Sequence, residues 1–153
     1  MEVRGVWKGG SETQLEDGRG HSVTVDLPAD EGGQNAGTSA LELGVLSLAG
    51  CITTIFGLVA KKRRLAFTGL TISLTAERPP GAPTIERVHG KIELQTGASK
   101  EDVETILRLT VKTCPVGVIF ERARIPVDVT VTILPPSPLK SHPSPGQPNA
   151  GSE

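Results

Sequence analysis

GTSALELGVLSLAGCITTIFGLVAKKRRL, residues 37–65, is the stretch whose reading decides the fold. It opens on Ser39 and Glu42, the Ser-x-x-Glu spacing in which each side chain reaches the other's backbone N–H and starts a helix. It closes on Lys61, Lys62, Arg63 and Arg64, cations that suit the negative end of a helix dipole. Residues 43–60 between these ends carry no charge. The stretch therefore predicts one helix from about 39 to about 63. Eighteen uncharged residues nearly span a bilayer, and the flanking cations mimic a positive-inside signal. Ser47, Thr53, Thr54 and three glycines lower its hydropathy, however, and its neighbours alternate like a water-facing sheet, so it reads as a core helix. A helix apolar all round must be covered all round. A small sheet covers one face, and a second copy of the chain is the economical cover for the other.

Upstream, residues 1–8 read as a short strand, and HSVTVDL alternates Val23, Val25 and Leu27 with polar residues as a half-buried strand does. EDGRG between them supplies turn chemistry, and a Gly-rich loop follows from Pro28 to Gly37. Downstream, Leu70, Ile72, Leu74 and Ala76 alternate, then Val88, Gly90, Ile92 and Leu94, with PPGAP between the two runs as a hairpin connection. Ser99 and Asp102 open a second helix carrying Val103, Ile106, Leu107 and Cys114 along one side. Pro115 interrupts it, a short helix over 116–123 follows, and a last strand alternates Val127, Val129, Val131 and Ile133. The order ββ–α–ββ–α–β predicts an α+β domain over 1–134 with antiparallel sheet. Residues 135–153, PPSPLKSHPSPGQPNAGSE, are nearly devoid of apolar side chains and read as a disordered Pro/Ser-rich tail.

A net charge of −1 argues against a nucleic-acid partner held through phosphates, and 3% aromatic residues against a base-stacking platform. MEVRGVWKGG lacks the apolar run of a signal peptide, which points to the reducing cytoplasm. There the two cysteines, Cys51 and Cys114, are thiols rather than a permanent disulfide. Cys51 lies mid-helix. Cys114 precedes a proline, which favours the first helical position and makes Cys114 the N-cap of the next segment. Helix N-termini lower thiol pKa values, so a thiolate is expected there. Each cysteine taken alone also fits a small buried hydrophobe. A zinc site needs about four ligands, and the three histidines show no ligand spacing to either cysteine. CxxC, Gly-x-Ser-x-Gly, Walker and dinucleotide motifs are absent. Composition and spacing leave the pair open between structural thiols and an active site.

Two separated motifs close part of that gap. GTSALELGVLSLAGC, with Gly37, Thr38, Glu42, Leu43 and Cys51, followed by TCPVGVIFERA, with Cys114, Pro115 and Val116, resembles the signature of the OsmC/Ohr family. Those are the osmotically inducible and organic hydroperoxide resistance proteins. The resemblance implies an OsmC-like fold in an intertwined homodimer, two central helices between antiparallel sheets, and two active sites at the subunit interface. It implies a thiol-dependent peroxidase in which Cys51 is the peroxidatic and Cys114 the resolving cysteine. It further implies an organic hydroperoxide as substrate, an external dithiol that restores the pair, and no requirement for metal, haem or flavin. Glu42 fits a capping box with Ser39; the family's matching Glu is a site residue contributed by the partner subunit. Nine residues at about 100° each put Glu42 and Cys51 on opposite sides of one helix, which suits that arrangement.

The chain departs from the family in the loop ahead of Glu42. Family peroxidases place an arginine there; this loop reads ADEGGQNAG, with Glu31 near the position and no arginine between Arg19 and Arg63. A carboxylate there would raise a nearby thiol's pKa. Ala40 also replaces the family's proline before the Glu. The alternative reading is therefore a non-catalytic OsmC-like dimeric binding module for a small apolar or electrophilic ligand. A cytoplasmic dimer with two buried structural cysteines is the third.

Overall fold

The computed structural model describes residues 1–136, so the stretch read as a tail lies outside the described residues except for Pro135 and Pro136. Helix α1 spans Ala40–Arg63. Its start is the expected capping box: Glu42 N–H donates to Ser39 Oγ at 3.3 Å, and Ser39 N–H donates to Glu42 Oε2 at 2.7 Å. Arg64, in the left-handed conformation at φ 58°, ends it. Leu48, Ile52, Phe56 and Ala60 recur every fourth residue and form the buried stripe. By length and composition α1 could cross a membrane; here its stripe is the centre of the core.

Strands β4 (Gly69–Glu77) and β5 (Arg87–Gln95) form the expected antiparallel hairpin, in register from Gly69 opposite Gln95 to Glu77 opposite Arg87. Helix α2 (Lys100–Thr113) opens on Ser99, whose side chain accepts the Asp102 N–H. Helix α3 (Pro115–Arg122) follows, then β6 (Val127–Leu134). One expectation needs correction: β6 pairs with β5 in parallel, from Val88 opposite Val127 to Gln95 opposite Leu134. The reason is the connection. Helices α2 and α3 carry the chain back along the sheet, so it enters β6 at the end where β5 began.

The N-terminal segment forms three antiparallel strands where two were expected: β1 (Arg4–Gly9), β2 (Glu12–Glu16) and β3 (Ser22–Val25). Gly9 and Gly10, both at positive φ, turn the chain from β1 into β2. Leu48, Ile52 and Phe56 pack with Val88, Ile92 and Leu94 of β5, Val103, Ile106 and Leu107 of α2, and Phe120 of α3. Among the described residues, no side chain of β1–β3 joins this cluster. Trp7 stays 71% exposed, and on α1 Leu46 and Leu58 are exposed too.

Candidate active site

Cys51 sits in the middle of α1, one position before Ile52 and therefore at the margin of the buried stripe; it is partly buried. Cys114 is fully buried and is at once the C-cap of α2 and the N-cap of α3. The proline after it imposes this, because a residue before proline is driven from helical to extended backbone, and Cys114 has φ −66°, ψ 113°. Its N–H donates to Thr110 O at 2.9 Å and closes α2, while its carbonyl accepts from Val118 N–H at 3.0 Å and opens α3. Its sulfur accepts the Gly117 N–H at 3.3 Å, as an N-cap oxygen would.

Helices α1 and α2 run antiparallel, since the end of α1 (Arg63, Arg64) and the start of α2 (Asp102, Thr105) line one groove. That crossing brings the two sulfurs together, across 63 residues of sequence: Cys114 Sγ lies 2.8 Å from Cys51 Sγ, both as free thiols. A disulfide of about 2.05 Å needs only a small closure from there. The expected low pKa of Cys114 is overturned. Burial first, and the hydrogen bond with Cys51 second, push its thiol up to about 11, and the N–H groups at the start of α3 only partly oppose this. The N-cap position is as expected; the desolvation that outweighs it depends on what α1 places opposite.

Glu42 stays with its cap. Its carboxylate accepts from Ser39 N–H and, at 3.3 Å, from Thr38 Oγ1, and these bonds, the backbone one first, hold its pKa below the usual carboxylate range. It lines a groove with Val45, Leu46 and Ala49 of α1 and Ile72 and Leu74 of β4, on the far side of the helix from the thiols. Arg19 is held by Asp17 at 2.7 Å in the β2–β3 turn. Glu31 lies in a short 3₁₀ turn, Ala29–Glu31.

Two features escaped the sequence. The loop that lacks the family arginine is organised by Asp26, a buried carboxylate at the end of β3. It accepts from Ser11 Oγ at 2.5 Å, Leu27 N–H at 2.9 Å, Gln34 N–H at 2.9 Å and Ala36 N–H at 3.1 Å. These bonds, Ser11 foremost, bring its pKa to about 2. A lone Asp between a strand and a Gly-rich loop was the available signal. The second is a cavity of about 850 Å³ between α2, α3 and the start of β6, with Leu48, Ile52, Val111 and Cys114 in its wall and Arg108 and Arg124 beside them. It is assembled from four elements, so no local pattern announces it.

Comparison with known proteins places this geometry. The fold matches the crystal structure of an OsmC-like protein from Mycoplasma pneumoniae with a TM-score of 0.78 at 17% identity, over 87% of this chain and 96% of that one. It matches an organic hydroperoxide resistance protein from Elizabethkingia anophelis with a TM-score of 0.70 at 19% identity, over 88% and 97%. A protein described as the organic hydroperoxide resistance protein OsmC from Legionella pneumophila matches with 0.69 at 16% identity, over 86% and 95%. None of the curated proteins matches the sequence. The family model described as OsmC-like protein covers residues 32–130, a span that holds α1, both cysteines and the crossover between them. The chain belongs to the OsmC-like protein family.

Proposed function

We propose that the chain is a thiol-dependent peroxidase that reduces organic hydroperoxides through Cys51 and Cys114. The observation that carries this is the 2.8 Å separation of the two sulfurs within one protomer. The Cys51 thiolate attacks the distal oxygen of a hydroperoxide. The O–O bond breaks, the alkoxide leaves and takes up a proton as the alcohol, and the sulfur is oxidised to a sulfenic acid. The Cys114 sulfur then attacks that sulfur and displaces hydroxide, which takes up the Cys114 proton as water, and a disulfide forms. A reduced external dithiol returns both thiols by exchange. No resident cofactor enters these steps, and two free thiols fit a cytoplasmic setting.

The reading includes a homodimer. The exposed Leu46 and Leu58 on α1, and a sheet β1–β3 that shares no core with the rest, support a second copy as their cover. Glu42, turned away from its own Cys51, then serves the site of the partner subunit. A binding module without turnover is the second reading, and it is favoured by one observation: Arg19, the last arginine before the loop that lacks one, is engaged by Asp17. Purified full-length protein given cumene hydroperoxide and a dithiol distinguishes them. Peroxide consumption that disappears in Cys51→Ser is the expected result, and consumption at the same rate in that variant overturns the peroxidase.

A further inference from the structure

The described residues hold one buried side-chain hydroxyl without a hydrogen-bond partner, and it stands one turn before Cys114: Thr110 Oγ1. Thr110 is fully buried on α2. Helical threonines ordinarily return their hydroxyl to the carbonyl one turn earlier. Thr53 does so to Ala49 O at 2.8 Å, and Thr113 to Leu109 O at 2.8 Å. Thr110 makes no such bond. Four residues before Cys114, it lies one turn away on the same side of the helix, and its carbonyl already holds the Cys114 N–H at 2.9 Å.

Cys114 is short of what Thr110 has to offer. To attack an oxidised Cys51 its sulfur must lose a proton while buried, and the donors it has are backbone N–H groups of Val116 and Gly117 at the start of α3. In the reduced pair its own S–H is directed to Cys51 Sγ. A hydroxyl can accept or donate as its rotor turns, so an idle one a turn away is a donor in reserve. We propose that Thr110 is a positioning residue for the resolving step, turning its hydroxyl to donate a hydrogen bond to Cys114 Sγ as that sulfur ionises. The inference rests on the redox reading given above. In the step it assists, the Cys114 thiolate attacks the sulfenic sulfur of Cys51, the S–S bond forms and the S–O bond breaks. Hydroxide departs with the electron pair and leaves as water with the proton Cys114 has released.

The test uses the full chain and two substitutions. Reduced protein receives one equivalent of cumene hydroperoxide, and the reaction is quenched over time with dimedone, so that mass spectrometry counts sulfenic acid and disulfide separately. In Thr110→Val, which keeps the shape and removes the hydroxyl, sulfenic acid is expected at the native rate and disulfide about ten- to a hundredfold more slowly, the worth of one hydrogen bond to a charged group. Thr110→Ser is expected to restore most of the rate. A merely structural role predicts the reverse pattern, because removing an unpartnered buried hydroxyl leaves the melting temperature equal or higher and resolution untouched. Native-rate disulfide formation in Thr110→Val, or no rescue by Thr110→Ser, overturns the proposal. If the native protein forms no sulfenic acid, the peroxidase reading fails by itself. The same two variants oxidised with diamide then decide the Thr110 role alone, with a slower closing step in Thr110→Val expected and an equal one refuting it.

Discussion

The reversed expectation for Cys114 has a kinetic consequence in pH. Its thiol stands at about 11 in the reduced pair, against an ordinary value of 9.0, with burial as the largest cause and the contacts with Cys51 next. Once Cys51 is a sulfenic acid, its thiol no longer contributes those contacts, while burial remains. The thiol therefore comes down from about 11 at that stage, with burial still acting to raise it. At pH 7 a thiol at about 11 leaves roughly one molecule in 10⁴ ionised, and loss of the Cys51 contacts raises that fraction. A thiolate is the nucleophile, so disulfide closure should accelerate about tenfold for each pH unit from 7 to nearly 9. The sign follows from the direction of the shift: a raised thiol pKa withholds the reactive form at neutral pH and releases it as pH rises. The assay is a double-mixing experiment, in which hydroperoxide oxidises Cys51 and a pH jump starts the closing step, with dimedone trapping the sulfenic acid that remains. Titrating the Cys51→Ala variant by thiolate absorbance supplies the control. Its Cys114 should ionise above 9.0, because burial outlasts the loss of Cys51. A closing rate that is flat between pH 7 and 9, or a Cys114 in that variant titrating below 9.0, would refute the reasoning that burial governs this sulfur.

Two further predictions concern the scaffold. Asp26→Asn should lower the melting temperature, since a neutral amide replaces a carboxylate that accepts three backbone N–H groups and the Ser11 hydroxyl. Because the folded pKa of Asp26 is depressed to about 2 from 3.8, its stabilisation is fully present above the unfolded value and fades as pH falls through about 2. The gap in urea midpoint between native protein and variant should accordingly shrink below about pH 4; a constant gap counts against it. Ser39→Ala should cost about 1 kcal/mol in urea denaturation by opening the α1 capping box, while peroxide consumption per folded molecule is retained.

The elements set by local chemistry were legible in the sequence. Ser39 with Glu42, Ser99 with Asp102, and Cys114 before Pro115 each marked a helix start to within a residue, because caps act over three or four positions. Strand β2, ETQLE, was not legible; with one apolar residue it has no period to detect, and it exists through its pairing with β1 and β3. The parallel β5–β6 pair was hidden for another reason, since alternation in Val127, Val129 and Val131 reports a buried face and not a direction. At the site, the cysteines that meet were readable from the two motifs, and the raised pKa of Cys114 was not. The N-cap of α3 is a local feature, whereas the burial that outweighs it comes from α1, 63 residues away in sequence. Thr110 was lost to the pattern altogether. It occupies a buried position on α2 among Val103, Ile106 and Leu107, where a hydroxyl breaks the apolar run.

Under the proposed reading, burial also assigns the order of events. Two thiols 2.8 Å apart are chemically near-equivalent until their surroundings separate them. Cys51 is only partly buried, which leaves it the more accessible of the two to a hydroperoxide, whereas Cys114 is fully buried and held protonated. Direct oxidation of Cys114 is disfavoured twice, by access and by ionisation. Its reaction is confined to a partner already in contact, where proximity supplies what its low thiolate fraction takes away: an intramolecular nucleophile at contact distance acts at an effective concentration of order 10⁵ M or more. A deficit of up to about 10⁴ in ionisation is therefore offset by position. The raised pKa is thus compatible with the resolving role, and it protects Cys114 from spending its thiol on peroxide before Cys51 has done so.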